Sequence, residues 1–155
     1  RCPADQSLSR HGGKLLPRVR SVSMNNWMNA DNPWENQRQY KVFRKTSDMS
    51  DPSPSQTWVI IDEREDRINN GFFVVAMNGF EPRRPASLQM VDYPASYHNG
   101  AAGLTFADGH AEVKRWLDPR TVPRIRKGQN IPLITSSPNN RDVLWLQERS
   151  TGFVR

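Results

Sequence analysis

The segment Gly103-Leu-Thr-Phe-Ala-Asp-Gly-His-Ala-Glu-Val-Lys-Arg-Trp116 carries the strongest structural signal in this sequence. Its Asp108-Gly109 pair suits a two-residue type I′ turn, because both central residues of that turn need a positive φ. A turn here pairs Ala107 with His110 and predicts a half-buried antiparallel hairpin. The register puts one set of side chains on the core face: Leu104, Phe106, Ala111 and Val113. The other face then carries Thr105, His110, Glu112 and Lys114.

Further strands are predicted on the N-terminal side of this hairpin. Residues 57–61 and 72–77 are rich in β-branched and aromatic side chains, and residues 18–24 alternate more weakly. Residues 25–56 form a long ordered loop with a short helical turn at 45–49. Eight core residues are expected: Trp58, Ile60, Phe73, Val75, Leu104, Phe106, Val113 and Leu146.

A single short helix is predicted near the C-terminal end, at about 140–150. Asn139 or Asn140 can cap its start, Asp142 suits its first turn, Arg149 suits its last turn, and Gly152 suits the position after its end. The prediction is one α+β domain over residues 1–155, with a sheet that is antiparallel throughout.

Composition excludes several classes of protein. The chain has 155 residues, a formal charge of +6 and 35% hydrophobic residues, and its apolar runs are far shorter than the roughly 20 residues that span a bilayer. The one cysteine, Cys2, excludes an internal disulfide framework and a multi-cysteine zinc site. Cys2 is either a free thiol or half of a disulfide with a cysteine elsewhere.

Several short motifs occur in a recognisable order. His98 is followed by nine residues and then Asp108-Gly109, and Cys2-Pro-Ala-Asp5 stands near the start. Asp62-Glu63 closes a strand, Arg67-Ile-Asn-Asn-Gly-Phe72 follows, and the segment 140–146 reads Asn-Arg-Asp-Val-Leu-Trp-Leu. Together these motifs resemble the prepilin-type H-x9-DG family, relatives of the pseudopilins of type II secretion.

The resemblance implies a pseudopilin-like globular head whose sheet packs against an N-terminal hydrophobic helix that this sequence lacks. It also implies an inner-membrane anchor through that helix, a periplasmic or cell-surface location, and assembly with other pilin-like subunits and secretion machinery. It implies no enzymatic activity. Arg67 and Asn70 depart from the pattern, since a small polar or acidic residue is expected there.

His98, Asp108 and Gly109 are expected to have a structural role. We expect His98 to brace the loop 93–97 against the strand end at Asp62-Glu63, although residues 99–102 could also fold back and bring it to the turn. The opposing hypothesis is a metal-dependent hydrolase that groups His98, Asp108, His110 and Asp62. It is disfavoured because Asp108 and His110 lie at a turn tip and no Gly-x-Ser-x-Gly nucleophile motif is present.

No cofactor is expected, with calcium as the alternative. The acidic residues Asp62, Glu63 and Asp66 supply the oxygen ligands that Ca²⁺ prefers. Arg64 and Arg67 interrupt them, which favours a solvated or salt-bridged loop.

Basic residues suggest a second function, an extracellular module that binds anionic polysaccharide or DNA. The densest group follows the hairpin and comprises Lys114, Arg115, Arg124, Arg126 and Lys127. No nucleic-acid motif accompanies it, so specific nucleic-acid binding is not expected.

An uncovered sheet has a predictable consequence. If the sheet normally packs on a helix, its apolar face drives association. We expect a dimer through that face, or its coverage by the N-terminal arm and the loop 25–56.

Overall fold

The structure is a computed structural model that describes residues 1–28, 38–125 and 129–154. Nine strands and one α-helix lie in these ranges. The strands are β1 (Leu8–His11), β2 (Lys14–Pro17), β3 (Val22–Asn25), β4 (Trp58–Asp62), β5 (Phe72–Phe73), β6 (Gln89–Met90), β7 (Ala101–Phe106), β8 (Ala111–Arg115) and β9 (Thr135–Ser136), and the helix is α1 (Arg141–Gln147). A 3₁₀ turn at Thr46–Asp48 occupies the position of the predicted helical turn.

Five strands form the central sheet in the order β5-β3-β4-β7-β8. All neighbours are antiparallel except β3 and β5, which pair in parallel. The prediction of a wholly antiparallel sheet is therefore wrong. The loop 63–71 reverses the chain after β4 and carries it past β3 to the free edge, so β5 runs against β4 and along β3. Two small sheets, β1-β2 and β6-β9, lie apart from the central sheet.

The hairpin β7-β8 forms where predicted, but its register is one residue away from the prediction. Leu104 pairs with Glu112 and Thr105 with Ala111, while the Phe106 N–H donates to the His110 carbonyl. The loop therefore has three residues and ends at Gly109, whose φ is 96°, which suits a type I turn followed by a left-handed glycine. A shift by one residue moves every side chain of β8 to the other face.

The core lies on one face of the central sheet and is closed by α1 and the aromatic side chains of the loops. Six predicted core residues are buried: Trp58, Phe73, Val75, Leu104, Phe106 and Leu146. The prediction that Val113 is in the core is wrong. Val113 is 68% exposed, because the register shift turns it outward. Ile60 is half-buried, because an irregularity between Trp58 and Ile60 makes Ile61 the second inward residue of β4.

The predicted strand 72–77 ends after Phe73, although residues 73–77 are all buried. Polar side chains replace a neighbouring strand here. The Val74 N–H donates to Asp92 and the Val75 N–H donates to Asn26, while Gln147 donates to the Ala76 carbonyl. Because these backbone groups are satisfied without a ladder, the segment stays irregular.

Helix α1 starts as predicted, with the Asn140 side chain accepting from the Asp142 and Val143 N–H groups. It ends at Gln147, so Gly152 is not its capping residue. Gly152 instead lets the segment 150–154 lie against the loop before β4, since a Cβ there would meet the Asp51 carbonyl. The Lys41 N–H donates to the Gly152 carbonyl, and the Val154 N–H donates to the Gln39 carbonyl.

No helix in residues 1–28, 38–125 and 129–154 combines the length and the apolar character needed to cross a membrane.

Candidate functional site

The outer face of the central sheet is apolar. Cross-strand pairing aligns Phe72, Met24, Ile60, Thr105 and Ala111 in one row across all five strands. A second row holds Val22, Asp62, Gly103 and Val113. Met24, Phe72 and Val113 are 41%, 39% and 68% exposed. A shallow groove of about 300 Å³ runs along the β4-β7-β8 part of this outer face.

Asp62 stands where the outer face meets the end of β4. Its Oδ2 accepts the Gly103 N–H at 3.0 Å, and its backbone carbonyl accepts the Ala95 N–H at 2.8 Å. A Cβ at residue 103 would lie only 3.0 Å from Asp62 Oδ2. Gly103 therefore gives the carboxylate room against β7.

His98 lies beside Asp62, as the preferred prediction placed it. Its Nε2 is 3.6 Å from Asp62 Oδ2, and its backbone N–H donates to the Ala101 carbonyl at 3.3 Å. The turn that follows includes Asn99 and Gly100, both with positive φ. His98 therefore sits at the opposite end of β7 from the Asp108-Gly109 turn.

Cys2 completes this cluster. Its backbone N–H donates to Ser21 Oγ at 2.6 Å, and its carbonyl accepts the Asp5 N–H at 3.0 Å. Cys2 Sγ lies 3.4 Å from His98 Nε2. No sequence pattern predicted a position for Cys2, and the only signal was its presence in one of the motifs that also supply Asp62 and His98.

Asp108 and His110 form a separate exposed pair at the hairpin turn. Their Oδ1 and Nδ1 atoms are 2.5 Å apart, and the bond lowers the pKa of Asp108 and raises that of His110. His110 also stacks on Phe106. The grouping of His98, Asp108, His110 and Asp62 into one hydrolase centre is therefore not formed.

The three carboxylates predicted for calcium point in different directions. Glu63 is fully buried and accepts from Ser23 Oγ at 2.5 Å, whereas Asp66 forms a bidentate pair with the buried Arg64 at 2.6 and 2.9 Å. Asp62 faces Gly103. Within the described ranges, the one group of cysteine, histidine and carboxylate atoms close enough to share a metal is Cys2, Asp62 and His98.

The interior behind Glu63 is unusually polar. Burial raises the pKa of Glu63 to about 8, and the nearby Asp92 adds to the rise while Ser23 opposes it. Burial also raises the pKa of Asp92, whose Oδ1 lies 3.0 Å from Arg67 Nε. These groups are buried inside the fold behind the strand end, away from the outer face.

The basic residues predicted to bind an anionic polymer have different surroundings in the described part of the chain. Lys114 Nζ lies 5.5 Å from the ring of Trp116, 5.2 Å from that of Trp145, and 3.7 Å from Asp142 Oδ1. Its charge is thus already engaged within the fold. Arg115 and Arg124 are exposed, and Arg126 and Lys127 lie outside the described residues.

Comparison with protein families, with curated proteins and with solved structures gives no match to this chain.

Proposed function

We propose that this chain is the globular head of a pseudopilin-like subunit, a non-enzymatic assembly protein of a type II secretion or type IV pilus-like system. The observation that carries the proposal is the apolar outer face of the central sheet. The solvent-facing side of an antiparallel sheet normally carries polar residues. This one instead presents five apolar side chains beside Thr105 and Asp62: Val22, Met24, Ile60, Phe72 and Val113. Such a surface is typical of an interface.

The width of the groove suits one amphipathic helix. The three strands β4, β7 and β8, at about 4.8 Å spacing, make a strip roughly 10 Å wide, and a helix with its side chains is about 10–12 Å across. One helix can therefore cover the groove along β4, β7 and β8 with its apolar stripe. The occupant we propose is the hydrophobic helix that the family resemblance implies upstream of Arg1.

The N-terminal arm supports this choice of occupant. Cys2 is held by Ser21, directly before the first residue of β3. Residues preceding Cys2 would therefore start beside the Val22 and Asp62 row and need no long connection to reach the outer face. In this proposal the same helix anchors the protein in the inner membrane, with the head in the periplasm or at the cell surface.

The test is incorporation of the full-length protein into an assembly. We expect Ile60→Glu and Val113→Glu, which both alter residues lining the groove, to reduce co-purification with other pilin-like subunits, and recovery in sheared surface filaments, by at least about tenfold. The reason is that a charge on a buried apolar interface costs several times RT. The matched control is Val154→Glu, because Val154 is an equally exposed apolar residue, at 55%, away from this sheet.

Two results would overturn the proposal. One is unchanged assembly of both outer-face variants, with circular dichroism showing that they fold. The other is a full-length sequence that begins with a plain cleavable secretion signal instead of a short basic leader, Gly-Phe-Thr-Leu-x-Glu and some 20 apolar residues. That start would favour a secreted binding module.

A further inference from the structure

Cys2, Asp62 and His98 bring three different metal-ligating atoms to one point. Cys2 Sγ and Asp62 Oδ2 lie 3.4 and 3.6 Å from the same atom, His98 Nε2. All three atoms are within 4.8 Å of one another. The residues come from the N-terminal arm, the end of β4 and the loop before β7, so the fold itself assembles the group.

The geometry excludes a catalytic relay. In a cysteine–histidine–aspartate triad, the nucleophile and the carboxylate bind opposite nitrogens of the imidazole, so that a proton can pass through the ring. Here both partners face Nε2. A shared approach to one nitrogen is what a common central atom would require.

We propose that Cys2, Asp62 and His98 bind a single Zn²⁺ ion. Tetrahedral zinc has bonds of about 2.3 Å to sulfur and about 2.0–2.2 Å to nitrogen and oxygen, which place neighbouring ligand atoms about 3.4–3.6 Å apart. The two distances to His98 Nε2 fall in this range. A set of one thiolate, one imidazole and one carboxylate suits Zn²⁺ and does not suit Ca²⁺, which prefers oxygen ligands only.

Backbone contacts hold each ligand in place before any metal binds. The Gly103 N–H orients Asp62 Oδ2, the Ser21 hydroxyl fixes the Cys2 backbone, and the Ala101 carbonyl fixes that of His98. Outer contacts of this kind raise metal affinity because the ligands need not be ordered on binding. His98 has a side chain that is 39% exposed, which leaves the fourth coordination position open to water.

The zinc site gives the cluster a role beyond the structural contact expected for His98 from the sequence. Cys2 and His98 are 96 residues apart in the chain, and a shared ion would tie the N-terminal arm to the end of the sheet. The proposed zinc site does not depend on the proposed assembly function, because it is inferred only from the positions of Cys2, Asp62 and His98.

The experiment is a zinc titration of the reduced, chelator-treated protein in competition with a chromophoric chelator. We expect one equivalent of zinc by elemental analysis and a rise in melting temperature on adding Zn²⁺. Cys2→Ser, Asp62→Asn and His98→Ala should each weaken binding by about 100-fold or more, since losing only an outer-shell partner costs about 10–100-fold. Binding of Co²⁺ should give a thiolate-to-cobalt charge-transfer band that Cys2→Ser abolishes.

The matched control is His11→Ala, because His11 is exposed on the β1-β2 hairpin, outside the cluster. It should bind zinc as the unaltered chain does. Absence of zinc binding by the unaltered protein would overturn the proposal. Unchanged zinc affinity in both His98→Ala and Asp62→Asn would also overturn it. That result would mean that the Cys2 thiol and the chain terminus bind zinc without His98 and Asp62. If Asp62→Asn fails to fold, Cys2→Ser and His98→Ala decide, as neither removes a core side chain.

Discussion

Glu63 shows how much one residue can depend on its surroundings. It directly follows β4, its side chain is fully buried, and its Oε1 has no hydrogen-bond partner. A carboxylate in that position is costly when charged, which is why burial raises its pKa to about 8. The folded protein therefore holds a proton that the unfolded chain releases at a much lower pH.

This residue predicts a pH dependence of stability with an unusual sign for an acid. Because the folded pKa is above the unfolded one, stability is full below the ordinary value of 4.5 and declines as pH rises towards about 8. Glu63→Gln mimics the protonated form and should flatten that decline, measured as the free energy of unfolding in urea at several pH values. The control, Glu148→Gln, changes an exposed carboxylate. A decline as steep in Glu63→Gln as in the unaltered chain would contradict this prediction.

Residue-level reasoning predicted one part of the cluster and missed another. The contact between His98 and the strand end at Asp62 was the preferred of two predicted arrangements, because residues 99–102 leave little slack for His98 to return to the turn. Cys2 was missed because its contacts with Ser21 and His98 join residues that are distant in sequence, and no periodicity or spacing reports such contacts. The buried positions of Glu63 and Arg64 were also missed, since charged residues are ordinarily assigned to the surface.

At the scale of elements, the hairpin β7-β8 illustrates the limit of pattern reading. The alternation of residues predicted both strands, but Asp108-Gly109 is compatible with a two-residue and a three-residue loop. The structure has the three-residue loop, in which Leu104 pairs with Glu112 and Thr105 with Ala111. The element was predictable and its register was not, because the same turn sequence is compatible with both loop lengths.

The left-handed conformation of Gly109 in the hairpin loop can be tested by substitution. Gly109 has a φ of 96° with open space around its Cβ position, so Gly109→Val should cost about 1–3 kcal/mol through backbone strain alone. Gly71→Val is the matched control, because that glycine is also surrounded by open space and has no positive φ. Its cost should be within about 0.5 kcal/mol of zero. Equal costs in chemical denaturation would show that the turn does not depend on the left-handed conformation.

At the scale of the whole molecule, the outer sheet face predicts self-association of the isolated chain. The described residues leave Met24, Phe72 and Val113 partly exposed, so the alternative of full coverage by the N-terminal arm and the described part of the loop 25–56 is not observed. Sedimentation velocity over a concentration series should show a dimer that Val113→Glu dissociates. A monomer at every concentration would contradict this prediction and would leave the outer face to a heterologous partner.

The segment 150–154 has a consequence for how the chain is made. Ser150 accepts from the Trp58 indole and from Asn25, at sequence separations of 92 and 125 residues, and Thr151 binds Lys41 across 110 residues. Folding that depends on such distant contacts is slow, because loop-closure entropy is lost before the contacts form. During synthesis, the strands around Trp58 leave the ribosome before Ser150, which they contact, has been translated. Completion of this fold therefore has to wait until residues 150–154 have left the exit tunnel.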